Sequence, residues 1–189
     1  MENFELILGT AIISFLVFII YNAFIIKIFG IPKSLSESFY LMNNRREGSG
    51  YIFTAMMFIV GLYLMPSWLE LGDCLSPWSH YLDPLAFATC ASICFVGAAP
   101  AFRNIGVESK VHDIGAKTAA ACSMTWCLSA VVGHNWWDIF IPLGVAGLVA
   151  IAGVITKTMK TCTVYWLEMM AFYATFLTVI PEIIMQTVK

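Results

Sequence analysis

Three ionisable residues stand where ionisable residues are costly: His112, Asp113 and Glu168. Glu168 interrupts an otherwise apolar stretch, Thr161 to Gln186, at ~10 Å from its start if the stretch is helical at ~1.5 Å per residue. A carboxylate at that depth needs a cation or donor to meet it. Lys117, Lys157, Lys160 and His112 are the candidates for that role. His112 and Asp113 open another apolar stretch, where free amides and the helix dipole favour an anion. The spacing predicts that His112, Asp113 and Glu168 gather at one mouth, with Lys110 or Lys117 beside them. From that mouth Thr118, Cys122, Thr125 and Ser129 recur on one helical face. Such a weakly polar stripe is either the wall of a pathway or a face that packs on another helix. The candidate binding set is therefore His112, Asp113, Glu168, Lys110, Thr118, Cys122, Thr125 and Ser129.

Other chemistries are excluded by what is missing. His80 and His134 are expected on one side of a membrane and His112 on the other, ~30 Å away, so they cannot share a metal. The chain holds no H-E-x-x-H, G-x-S-x-G, P-loop or C-x-x-C sequence. Ser34, Ser36 and Ser38 are too ordinary a group to mark a nucleophile. No catalytic residue, metal site or cofactor is assigned. Cys90, Cys94, Cys122 and Cys127 fall inside apolar stretches, while Cys74 and Cys162 are expected on opposite sides, so no disulfide is implied.

The elements that must position these residues are set by composition. The chain has 189 residues, 60% of them hydrophobic and 12% charged, with a net charge of −2. That charge leaves no basic surface for nucleic acid, and that apolar content predicts an all-α integral membrane protein. A hydrocarbon core of ~30 Å takes ~20 helical residues. The uncharged runs predict one polytopic domain over residues 1–189, a six-helix bundle spanning about 4–29, 49–70, 84–103, 112–133, 138–156 and 161–186. No alternating ten-residue pattern argues for a β-barrel. Glu2 and Glu5 take the place of the basic start that a signal peptide needs.

Nine of the ten Lys and Arg fall in three alternate loops: Lys27, Lys33, Arg45 and Arg46, then Arg103, Lys110 and Lys117, then Lys157 and Lys160. The positive-inside rule puts these loops in the cytoplasm and both termini outside, as in a bacterial-type inner membrane. Gly30 and Pro32 should end the first helix. Ser34 to Met42 should form a short interfacial helix with a Ser34–Glu37 capping box and a Leu35, Phe39, Met42 face. Pro66 to Glu70 reads as the start of an outer loop, and Trp68, Trp78, Trp136 and Trp137 as an outer aromatic belt. Glu182 reads as a surface carboxylate beside the outer end of the sixth helix.

Small residues predict the packing. They are dense in spans three to five, as in Gly97, Ala98 and Ala99, then Gly115 and Ala116, then Gly144, Gly147 and Ala150. A tight centre of these three spans is expected, with spans four and five forming a close hairpin about Gly133 to Asp138. On that reading Gly147→Leu should cost ~1–3 kcal/mol by overpacking. The small faces could alternatively meet a second copy or another membrane protein. The functional expectation is a non-enzymatic bundle or oligomer that binds or passes a small molecule, lipid or ion, with membrane lipids as partners. The alternatives are an accessory or scaffold subunit and a lipid-modifying enzyme using His112, Asp113 and Glu168.

Overall fold

The computed structural model describes residues 2–75, 79–134 and 140–188. Among these residues there is no strand, and the elements are α1 (Glu2–Phe29), α2 (Glu37–Arg45), α3 (Tyr51–Leu75), α4 (Ser79–Ala98), a 3-10 turn (Ala99–Ile105), α5 (Glu108–His134), α6 (Phe140–Ile155) and α7 (Thr163–Val188). Four helical stretches are long and apolar enough to cross a membrane: Glu5–Phe29, Tyr51–Gly72, Leu82–Phe102 and Thr163–Met185. α6 is as apolar but has only 16 residues. α5 has the length, but its first turns carry Glu108, Lys110, Asp113 and Lys117. An all-helical chain of this kind is compatible with a membrane, because a helix satisfies its own backbone groups where no water can.

The turn after α1 follows its sequence signals. Gly30 takes φ +77°, its amide closes on the Ile26 carbonyl at 3.0 Å, and Pro32 follows. The turn before α2 carries a modified capping box, while Ser36 at the N-cap position makes no side-chain cap. The Ser34 hydroxyl accepts from the Glu37 amide at 3.2 Å, but the Glu37 carboxylate reaches back to the Lys33 amide, one residue earlier than the standard pattern. Leu35, Phe39 and Met42 are all buried against the bundle.

α3 is the central helix. It packs on α1 and α4, α4 packs on α5, and α1 also meets α7. Serine and threonine hydroxyls join the neighbours: Ser14 donates to the Val60 carbonyl, Ser67 to Ile7, and Thr54 to Gly97, at 3.2, 3.2 and 2.8 Å. The α3–α4 approach depends on absent side chains. A Cβ at Gly61 would fall 2.9 Å from the Cys90 carbonyl oxygen, and one at Gly97 would fall 2.6 Å from the Met57 Cβ. Between α1 and α7 the rings of Phe15 and Phe18 interleave with Phe172, Tyr173 and Phe176, the Phe18–Phe172 centroids lying 4.5 Å apart.

Three expectations need correction, and a fourth falls mostly outside the described residues. α3 continues through Pro66 to Leu75, and Trp68 is fully buried in it instead of standing in an outer belt. A proline within a membrane helix is tolerated when neighbouring helices cover the freed carbonyl. Trp78, Trp136, Trp137 and most of the Gly133–Asp138 hairpin lie outside the described residues, although α5 runs through Gly133. Glu182 is buried at 3% exposure. The close centre is α3–α4–α5, whereas α6 packs chiefly on α7.

The glycine face of α6 is open. A Cβ at Gly144 or Gly147 would meet nothing within 4 Å, and Leu148 and Ile151 beside them are exposed. We therefore expect Gly144→Leu and Gly147→Leu to change thermal stability in detergent by less than about 0.5 kcal/mol, the usual range for a surface site. A large loss for either would place a helix against that face.

Candidate functional site

At the end of the bundle that carries the basic loops, the segment 31–36 is fastened to the start of α7. The Tyr165 amide donates to the Lys33 carbonyl at 3.0 Å, and the Cys162 thiol reaches the Ile31 carbonyl at 3.5 Å. Glu168 makes the third tie: its Oε2 accepts from the Leu35 amide at 2.6 Å. That amide lies two residues before α2 begins at Glu37, so a carboxylate from α7 holds the segment that leads into α2. Deeper in the same region, Tyr165 donates to Asn22 at 3.2 Å and Tyr21 shares a hydrogen bond with Ser38.

Beside this junction lies a cavity of about 560 Å³, within the ~300–1,000 Å³ range of ligand sites. α3 supplies Phe53, Met57, Leu64 and Trp68, and α4 supplies Thr89, Ile93 and Val96. α5 contributes His112, Asp113, Ala116, Lys117, Ala119, Ala120 and Ser123; α7 contributes Val164, Leu167, Glu168, Ala171, Phe172 and Thr175. Leu35 and Ser36 close the end next to α2. Its α3 wall runs from Phe53 to Trp68, ~22 Å at ~1.5 Å per residue, and its α5 wall from His112 to Ser123, ~16 Å. The cavity is thus a slot along the helices, as long as one leaflet of a ~30 Å core on its α5 side and longer on its α3 side. Ala120, Leu167 and Ala171 are exposed at its rim, so it opens sideways between α5 and α7.

Polarity is concentrated at one end. His112, Asp113, Lys117 and Glu168 all line the cavity near α2, and beyond them only Thr89, Ser123, Thr175 and the Trp68 indole interrupt the apolar wall. Lys117 donates to Asp113 at 2.6 Å with both side chains largely exposed, an i,i+4 pair of the kind worth only ~0.3–0.5 kcal/mol. The imidazole Nε2 of His112 is buried and has no hydrogen-bond partner among the described residues. At the far end Trp68 stacks on Trp126 with centroids 4.6 Å apart.

Glu168 is electrostatically undercompensated. Among the described residues the one ion pair is Lys117–Asp113, so no lysine answers Glu168. One hydrogen bond to a charged acceptor contributes roughly 1.5–3 kcal/mol. Full removal of a carboxylate from water costs several kcal/mol even after relaxation. Glu168 is half-buried and bears part of that cost, with one amide set against it.

The structure brings His112, Asp113 and Glu168 to one cavity, together with Lys117; Lys110 is exposed and outside it. Thr118, Cys122, Thr125 and Ser129 do not line it. Thr125 and Ser129 are exposed, and Thr125 returns its hydroxyl proton to the Ala121 carbonyl at 2.8 Å. The α5 face on the cavity is instead His112, Ala116, Ala119, Ala120 and Ser123. The Leu35 amide was missing from the sequence reading; it lies within the Ser34–Glu37 turn, two residues before α2.

The Glu168–Leu35 tie gives a direct expectation. Glu168→Ala should free the 33–36 segment, raising hydrogen exchange at the Leu35 amide and lowering stability by about 1–3 kcal/mol. Glu168→Gln keeps an acceptor and should retain most of the protection. Equal protection in wild type and Glu168→Ala would show that the tie is not formed.

No protein-family model, curated protein or solved structure matches this chain.

Proposed function

We propose that this chain is a six-span membrane protein that binds a single-chain amphiphile drawn sideways from the bilayer into the slot between α5 and α7. The basic loops face the cytoplasm and both termini face out, as the distribution of Lys and Arg argues. The observation that carries the reading is the cavity itself: at least one leaflet long, apolar along its walls, polar at one end, and open at a rim of Ala120, Leu167 and Ala171. The amphiphile's chain lies along Phe53, Leu64 and Ile93, with its polar group at His112 and Glu168. α5 and α6 complete the six crossings, although α6 is shorter than the ~20 residues that a full span takes.

The test is native mass spectrometry of the protein released from lipid nanodiscs. One bound amphiphile per chain, lost in Ala119→Phe, is the expected result. A chain that carries no adduct in either form would refute the reading.

A second reading, a subunit that docks on another membrane protein, is favoured by the open glycine face of α6. Close helix approach across Gly144 and Gly147 is what small-residue faces permit. Crosslinking from that face to a second protein, with an empty slot, is the outcome that would select it.

A further inference from the structure

We infer that the amphiphile's head group is a cation, an amine or quaternary ammonium, held by Glu168. The inference rests on the binding reading above and adds the ligand's charge. Inside a bilayer the apolar walls provide little net drive, because lipid tails are as apolar as the slot. Discrimination must therefore come from the polar end.

There the charges are unequal. Asp113 and Lys117 of α5 satisfy one another. Glu168 of α7 has a main-chain amide and no cation among the described residues. The other titratable groups on the elements beside it are His112 on α5, Tyr165 on α7, and Lys33 and Glu37 flanking the Leu35 amide, the Glu37 carboxylate being bonded to the Lys33 amide; the lining residues of α3 and α4 include none. A carboxylate or phosphate head would meet two acidic groups and one lysine already engaged. A cation would supply the charge that Glu168 lacks. Its surroundings suit an alkylated ammonium: Phe172 stands one turn beyond Glu168 on the same helix, and Phe53 faces the slot from α3. Aromatic rings beside a desolvated cation add a favourable quadrupole term.

The exchange balances simply. Where Glu168 is protonated the cation must displace its proton, and the carboxylate–ammonium pair takes the place of the acid. Cation and proton thus compete, so affinity for a permanently charged ligand should rise with pH.

The experiment is equilibrium dialysis of the protein in nanodiscs against radiolabelled dodecyltrimethylammonium, with empty nanodiscs as background. Dodecanoate and monododecanoylglycerol, which share its chain length, serve as competitors. Saturable binding of the ammonium is expected, weakening by about tenfold per pH unit once Glu168 is protonated. In Glu168→Gln the affinity should drop at least about tenfold and lose that pH dependence, while the amide acceptor for Leu35 is retained. Competition by dodecanoate as strong as by unlabelled ammonium would overturn the cation assignment and leave the binding reading intact. With each of the three labelled in turn, saturable binding of dodecanoate or monododecanoylglycerol alone would likewise overturn only the cation assignment, and saturable binding of none would overturn both.

Discussion

Gly97→Leu should leave little folded protein. A Cβ at Gly97 already falls 2.6 Å from the Met57 Cβ and 3.4 Å from the Thr54 carbonyl oxygen. The Met57 Cβ sits at the base of its side chain and cannot swing away, so α3 and α4 would have to separate. That separation would also break the bond from the Thr54 hydroxyl to the Gly97 carbonyl. Overpacking of a close interface costs typically ~1–3 kcal/mol, and a branched side chain placed between the two most intimately packed helices belongs at the upper end or beyond. Thermal unfolding in detergent should show the midpoint falling sharply, in contrast to Gly147→Leu on open α6. Equal midpoints for the two variants would contradict the assignment of α3–α4–α5 as the close centre.

Ala119→Phe should do the reverse: keep the fold and empty the slot. Ala119 lines the cavity from α5 midway between His112 and Ser123, and the space in front of it is part of the 560 Å³ void. A phenyl group can enter that void without displacing a packed neighbour, so stability should change by less than ~1 kcal/mol, as for a well-accommodated apolar exchange. The same ring occupies the path of the bound chain. Affinity for an alkyl amphiphile should fall at least about tenfold, or ~1.4 kcal/mol. Unchanged affinity with an intact fold would mean that the ligand lies elsewhere.

Much of the frame was legible in the sequence because it follows from strong local rules. Gly30 and Pro32 announced the end of α1, and Ser34 with Glu37 announced the start of α2. Uncharged stretches announced the four long apolar helices, since an unpaired charge inside one is costly. Glu168 stood out for the same reason, and the Leu35 amide is a donor of the kind its position demanded.

The face of α5 was not legible. Thr118, Cys122, Thr125 and Ser129 look like the lining of a polar path, but a hydroxyl in a helix can satisfy itself on its own backbone, as Thr125 does. The alanines that do line the slot are indistinguishable in sequence from packing alanines. Helix pairing was hidden too. Gly144 and Gly147 permit close approach, yet a small residue does not name its neighbour, and Gly61 and Gly97 found theirs on α3 and α4. Pro66 misled because in water it would end a helix, whereas here α1 and α4 pack around α3.

The most direct measurement uses Trp68, which is fully buried and forms the far wall of the slot. The protein in nanodiscs is titrated with an alkyl amphiphile brominated near the end of its chain, and indole fluorescence is compared between wild type and Trp68→Phe. A chain seated in the slot brings bromine to Trp68 and to Trp126 stacked on it, so the wild type should show a saturable quenching step that is smaller in Trp68→Phe and that Ala119→Phe shifts to higher concentration. Quenching that never saturates and is the same in all three proteins would contradict binding inside the bundle.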